Sequence, residues 1–211
     1  MRAKMSERSQ AFNRLCDAAL LHFAKDGYDR ASLSTIADAL GIRKASLYSH
    51  VKSKDELYLL LVTESIEAEE AFAQECFHNK QADIIPGNAY IEALGPRFLH
   101  SLNLQFLLKA AYFPPEAHRA LIADAFTTFN ERLRELFLAD FDKRYADAAL
   151  AADRALFAES WLGIVDSICV EMLYGSEERS TLRKDAMQML LTRALQTANT
   201  ALTKVTRPLF S

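Results

Sequence analysis

Glycine and proline are scarce here, six and five among 211 residues. Runs of β-branched residues are scarce too, whereas leucine and alanine are abundant, so the chain reads as mostly helical. Only three cysteines occur, Cys16, Cys76 and Cys169. They lie far apart, form no CxxC pair and no metal spacing, and their odd number argues against a disulfide framework. Long apolar runs are missing as well. Ala18–Leu21 is short and ends at His22, no stretch approaches the roughly 20 residues of a membrane span, and no secretory core follows Met1. The expectation is a cytoplasmic protein with no membrane partner. Enzyme signatures are absent in turn: no G-x-S-x-G elbow, no Gly-rich phosphate loop, no HExxH. One Glu-x-x-His occurs, Glu75 to His78, where a di-iron bundle needs two and two more inward carboxylates. Neither a metal, a cofactor nor catalysis is expected. A helical metal-binding or catalytic bundle without DNA function remains the alternative class. A purely structural helical module is a third, and it leaves Leu47–Lys54 as coincidence.

Half of the residues are hydrophobic, enough for a sizeable core. The formal net charge is only −3, but it is unevenly divided. Residues 1–54 hold ten Lys/Arg and five Asp/Glu, a net of +5, and residues 55–211 hold fifteen and twenty-three, a net of −8. A basic head on an acidic body is the distribution expected if only the head meets phosphates.

Helical periodicity runs along nearly the whole chain. Phe12, Leu15, Cys16, Ala19 and Phe23 share one face of a first helix, and Gly27 is its stop signal. Ser32 stands at an N-cap position before Leu33, Ile36, Ala37 and Leu40, which keep helical spacing over two turns. Gly41 ends that helix, and a third is expected over about Lys44–Val51, with Leu47 and Val51 inward. Ser53 can cap a long fourth helix running to about Phe77. Loops are expected at His78–Asn88, which contains Pro86-Gly87, and at Asp140–Asp147. Pro96 falls within a helical segment, where it kinks the helix or starts a new one. Pro114-Pro115 ends a helix at Tyr112 and Phe113. The last two helices are expected at about Ala149–Tyr174 and Thr181–Leu202, separated by Gly175-Ser176. The fold class is all-α, about nine helices in all.

Two short helices joined by a tight glycine turn form a helix-turn-helix, which offers its second helix to the major groove of DNA. That helix exposes Lys44, Ala45, Ser46, Tyr48 and Ser49. Lys44 can donate to guanine edges or phosphate, Ser46 can donate or accept, and Ala45 can lie against a thymine methyl. Tyr48, His50 and Lys54 add donors for the backbone.

Gly27-Tyr28, Ser32-Leu33, Ile36-Ala37, Leu40-Gly41-Ile42, Leu47–Val51 and Lys52–Leu57 keep a register across three helices. In this register, about residues 8–62 resemble the N-terminal domain of the TetR (tetracycline-repressor-like) family of bacterial regulators. The resemblance implies a homodimeric transcriptional regulator, by family expectation a repressor. It implies a three-helix DNA-binding head over 1–54 and a larger effector-binding and dimerisation domain over 55–211. Carried over position by position, it implies phosphate contacts from Ser32, Tyr48, His50 and Lys54, and groove contacts from Lys44, Ala45 and Ser46. Ala31, Arg43 and Ala45 depart from the common threonine, serine and glycine, which bears on which operator is read.

In the body, Phe157, Trp161, Ile164, Val165, Ile168 and Met172 form one side of the penultimate helix, and the small residues Ser160, Gly163 and Ser167 form another. The last helix is apolar on two sides, Met187, Leu191 and Leu195 against Leu182, Ala186, Met189 and Leu190. Such a helix must bury both, so a two-fold dimer interface is expected at Ser160, Gly163, Ser167, Ala186, Met189 and Leu190. Phe98, Leu102, Phe106, Tyr112, Phe126, Phe129 and Trp161 are the aromatic and apolar candidates for a small-molecule effector site.

Overall fold

A computed structural model describes residues 9–78, 85–145 and 148–205 of the chain. Among them are nine α-helices and no strand. The helices are α1 (Gln10–Arg30), α2 (Leu33–Leu40), α3 (Lys44–Leu47), α4 (Lys54–His78), α5 (Asn88–His100), α6 (Leu102–Tyr112), α7 (Arg119–Arg144), α8 (Ala148–Tyr174) and α9 (Glu177–Val205), with a 3-10 turn at Glu116–His118. The expected loop at His78–Asn88 lies in part, at 79–84, outside the described residues.

Most helix boundaries follow the local chemistry. Ser9 caps α1, which breaks at Gly27. Ser101 caps α6, which ends at Tyr112 ahead of Pro114-Pro115. Ser176 caps α9 through the Arg179 N–H, and Glu177 and Glu178 occupy its first turn, favourably placed against the helix dipole. Pro96 sits inside α5, which continues past it to His100. The loop expected at Asp140–Asp147 begins later than its polarity suggests. Asp140–Arg144 is helical, so the loop begins only after the last turn of α7 and runs into residues 146 and 147, outside the described set. The reason is burial: Phe137 and Phe141, four residues apart, are both fully buried. Asp140 and Arg144 pair across the same turn at 3.0 Å.

The chain divides into two compact units. The first runs to Glu69 and includes His100–Phe126. Its core joins Leu15, Ala19, Phe23, Ile36 and Leu47 to Leu57, Tyr58 and Leu61 of α4 and to Phe106 and Ala110 of α6. This unit therefore extends well beyond residue 54. The second unit, Glu70–Leu99 with the residues from Thr127 onward, has an aromatic core around Trp161. The Phe137, Phe77 and Tyr90 rings lie 5.4, 5.6 and 6.0 Å from it. In the same unit Glu171 of α8 is buried and paired with Arg183 of α9 at 2.7 Å.

Candidate nucleic-acid interface

The helix-turn-helix is built by its caps. The Ser32 hydroxyl accepts from the Thr35 N–H while the Thr35 hydroxyl accepts from the Ser32 N–H, a reciprocal box that starts α2. Gly41 ends α2 at φ 66°, a left-handed conformation that a side chain disfavours. The Ile42 N–H then donates back to the Ala37 carbonyl at 3.1 Å, and the chain is turned sharply into α3. Leu47 is completely buried, which contributes about 2 kcal/mol and anchors α3 on the core.

The regular part of α3 is shorter than its sequence suggests. It stops at Leu47, not Val51. The Leu47 carbonyl accepts from both the His50 and Val51 N–H groups, at 2.9 and 3.2 Å, so the chain continues as tight turns before the Ser53 cap of α4. The solvent side of this segment presents Lys44, Ala45, Ser46, Tyr48, Ser49 and His50, all exposed. Tyr48 is 49% exposed and stands free of the core. The Lys44 ammonium lies 5.9 Å from the Tyr48 ring centroid, and the His50 ring 5.9 Å from that of Phe12. The Ser49 hydroxyl donates to the Ser46 carbonyl. From Ala39 to Lys54 the chain carries Arg43, Lys44, Lys52 and Lys54 and no acidic residue. The result is an exposed, cationic face of donors on a single rigidly anchored helical turn, which suits a polyanion.

Ser32 and Lys54 are placed differently. Ser32 is half-buried with its hydroxyl engaged in the cap. Lys54 donates to the Tyr28 and Ala31 carbonyls at 3.0 and 3.3 Å and sits 3.8 Å above the Tyr28 ring. It ties the start of α4 to the end of α1.

The family pattern for bacterial regulatory proteins of the tetR family matches residues 15–61. Over 46 residues the chain is 39% identical to the biofilm operon icaADBC HTH-type negative transcriptional regulator IcaR of Staphylococcus epidermidis, and 41% identical to that of Staphylococcus aureus. Those segments are 22% of this chain and 25% of each relative. The chain thus matches about a quarter of the length of these curated relatives. Residues 15–61 are thus a TetR-type head. Solved structures extend the likeness of fold to most of the chain. The fatty acid degradation regulator FadR of Bacillus halodurans superposes with a TM-score of 0.68 at 18% identity, over 88% of this chain and 96% of that one. Salmonella enterica GusR does so with 0.65 at 17%, over 92% and 99%.

The first unit holds one cluster that no sequence motif marks. The Tyr28 hydroxyl donates to Asp55, and His118 Nε2 lies 3.4 Å from the same carboxylate. The Tyr28 hydrogen bond, with the neighbouring imidazole, holds Asp55 below the usual carboxylate range. Burial, then the bond to Asp55, pushes the Tyr28 phenol from 10.0 to about 12. The signs differ. The depressed acid contributes stability that is lost as pH falls through its lowered value, and the raised phenol contributes stability lost as pH rises from about 10 to about 12. Tyr28→Phe is therefore expected to cost about 1 kcal/mol at neutral pH. Thermal melts of both proteins should converge as pH falls through the carboxylate range; a constant gap would remove the pairing. Only chain folding joins positions 28, 55 and 118, so no local spacing signals this cluster.

The other expected sites are distributed as follows. Among the effector candidates, Leu102, Phe106, Tyr112 and Phe126 lie in the first unit, and Phe98, Phe129 and Trp161 in the second. Phe106 is a core residue packed on Phe23 and Tyr58. The dimer candidates do share one unit. Ser160, Gly163, Ala186, Met189 and Leu190 are exposed, and Ser167 is half-buried with an Arg183 contact at 3.4 Å. Glu75 and His78 are exposed at the end of α4, and His78 Nδ1 faces the Gln74 carbonyl at 2.6 Å.

Proposed function

We propose that this protein is a transcriptional repressor that binds a palindromic operator as a homodimer and releases it when a small apolar or aromatic effector binds. The observation that carries the reading is the exposed cationic face Lys44–His50, held on the buried anchor Leu47 in a TetR-type head. Lys44, Ala45, Ser46 and Tyr48 enter the major groove, N-terminal end of α3 first, while Ser32 and His50 contact phosphates. Lys54 serves the operator by holding α1 on α4. Repression is favoured because the matched relatives are negative transcriptional regulators. No catalytic step is assigned to the chain, and no described helix is long and apolar enough to cross a membrane, in keeping with action on DNA in the cytoplasm.

Residues 1–54 carry the DNA contacts and 55–211 the effector and dimer functions. The dimer face is supported by a stripe on α8, Leu156, Ser160 and Gly163, beside Leu182, Ala186, Met189 and Leu190 of α9, all exposed. For the effector, Trp161 is the best supported contact. Its indole N–H is completely buried and has no hydrogen-bond partner among the described residues, a deficit that a ligand acceptor would relieve. Trp161 is the chain's only tryptophan, so effector binding there is read directly by its fluorescence. The shift to the DNA-incompetent state requires that the effector bind that state more tightly.

Selection of bound duplexes from a random pool tests the reading. Two half-sites about one helical turn apart are expected, with affinity falling steeply as salt rises. Lys44→Ala should cost about 1–3 kcal/mol on the selected site and relax preference at one position. Lys54→Met should lower the melting temperature and leave the salt slope unchanged; a slope reduced by about one would move Lys54 onto a phosphate. Recovery of no enriched sequence would overturn the operator.

A further inference from the structure

A cavity of about 210 Å³ opens in the first unit, with none of Lys44–His50 in its lining. It exceeds the roughly 150 Å³ that holds a benzene ring and falls below the 300 Å³ typical of drug-sized sites. Its walls are aromatic: Phe23, Tyr28, Tyr58 and Phe106. Tyr58 is the centre of this group, with ring centroids at 4.9 Å from Tyr28, 5.0 Å from Phe23 and 5.2 Å from Phe106. It is only 3% exposed.

The rim is charged. Asp26 and Lys109 both line it. The first stretch of α1 ends here, at the break at Gly27, so its negative dipole end is at the cavity. Lys109 already donates to the Lys25 carbonyl at this end. Asp29 acts electrostatically on both Tyr28 and Tyr58. Aromatic faces, a helix C-terminus and carboxylates all favour positive charge. The protein itself uses the same chemistry next door, where the Lys54 ammonium lies over the Tyr28 ring.

We infer that this cavity is a binding site for a small organic cation of the quaternary ammonium class. The cationic head rests on the Tyr28, Tyr58 and Phe106 rings, with Asp26 as its counter-ion. The site stands on the geometry of the first unit alone, and its test needs no DNA.

The probe is choline, compared with its uncharged isostere 3,3-dimethylbutan-1-ol by calorimetric titration of the full chain. Choline is expected to bind with a Kd on the order of 1 mM, and the alcohol at least about tenfold more weakly. Asp26→Asn, at an exposed carboxylate that leaves the core intact, should weaken choline about fivefold, whereas Lys109→Met should not weaken it. N-methyl protons of bound choline should show Overhauser contacts to tyrosine rings, and Tyr28→Leu should remove part of them. Equal binding of the alcohol, absence of saturable choline binding, or an Asp26→Asn protein that binds choline unchanged would each overturn the assignment.

Discussion

On the proposed dimer, Leu190→Arg is expected to leave a monomer and to weaken binding to the proposed operator by about a hundredfold or more. Leu190 is 63% exposed on α9, and Leu182 of the same helix is 70% exposed, while Leu191 and Leu195 on the other side are buried. One face of α9 is therefore spent on its own core and the other is left apolar in water. Leucines exposed to this extent at helical spacing, beside the small residues Ser160 and Gly163 of α8, suit the close approach of a two-fold partner. A guanidinium on this face would be buried in the proposed apolar interface with no counter-ion. Loss of the second head removes the avidity that joins two half-sites, and with it two or more orders of magnitude in affinity. The fold should survive, because an exposed substitution alters stability by only about 0.5 kcal/mol. Gly163→Arg offers an independent check, since a Cβ there meets nothing within 4 Å in the single chain. Sedimentation equilibrium at micromolar concentration and circular dichroism read both outcomes. A variant that stays dimeric would place the interface elsewhere.

Gly87→Ala is expected to destabilise the second unit by about 3 kcal/mol. Two costs add. Gly87 has φ 67°, where an L side chain is strained by about 1 kcal/mol. Its Cβ would lie 2.4 Å from Phe77 Cζ and 3.1 Å from Trp161 Cε2, so one or both rings must shift, an overpacking cost of about 1–3 kcal/mol. The Trp161 ring has little room to yield, because it is also packed on Phe137 and Tyr90. The Gly87 N–H is held as well, by Asp140 Oδ2 at 3.1 Å. For a chain of this size the melting temperature should fall by about 6–12 °C. Tryptophan fluorescence should report the same change, since the disturbed ring is the only indole. A melting temperature within a degree or two of the parent would show that the rings move freely.

Much of the helical order was legible along the chain, because the signals are local. Ser32 and Gly41 mark the ends of α2 by their own chemistry, and Ser53 starts α4 in the same way. Misreadings arose where tertiary burial outweighed local polarity. Asp140–Arg144 is charged enough to pass for a loop, yet the inward Phe141 keeps it helical. Nor does local sequence show what Lys54 touches: a turn of chain more than twenty residues away supplies two carbonyls and a ring. The aromatic residues were the least legible group. Phe106 and Trp161 look alike in a periodic pattern, yet one packs in the core of the first unit and the other in the second.

The sequence by itself determined that this chain is helical, that Ser32, Gly41 and Ser53 mark helix ends, and that residues 32–54 form a helix-turn-helix with a cationic face. These follow from periodicity, from the backbone freedom of Gly41, and from charges that are near one another in the chain. Only the tertiary structure decided which of those charges stay exposed on α3 and which, like Lys54, are turned to the protein's own carbonyls. It alone joined Tyr28, Asp55 and His118, and it alone closed four aromatic rings from three helices around a cavity. Those arrangements depend on contacts between positions tens of residues apart, which packing selects and no local pattern encodes.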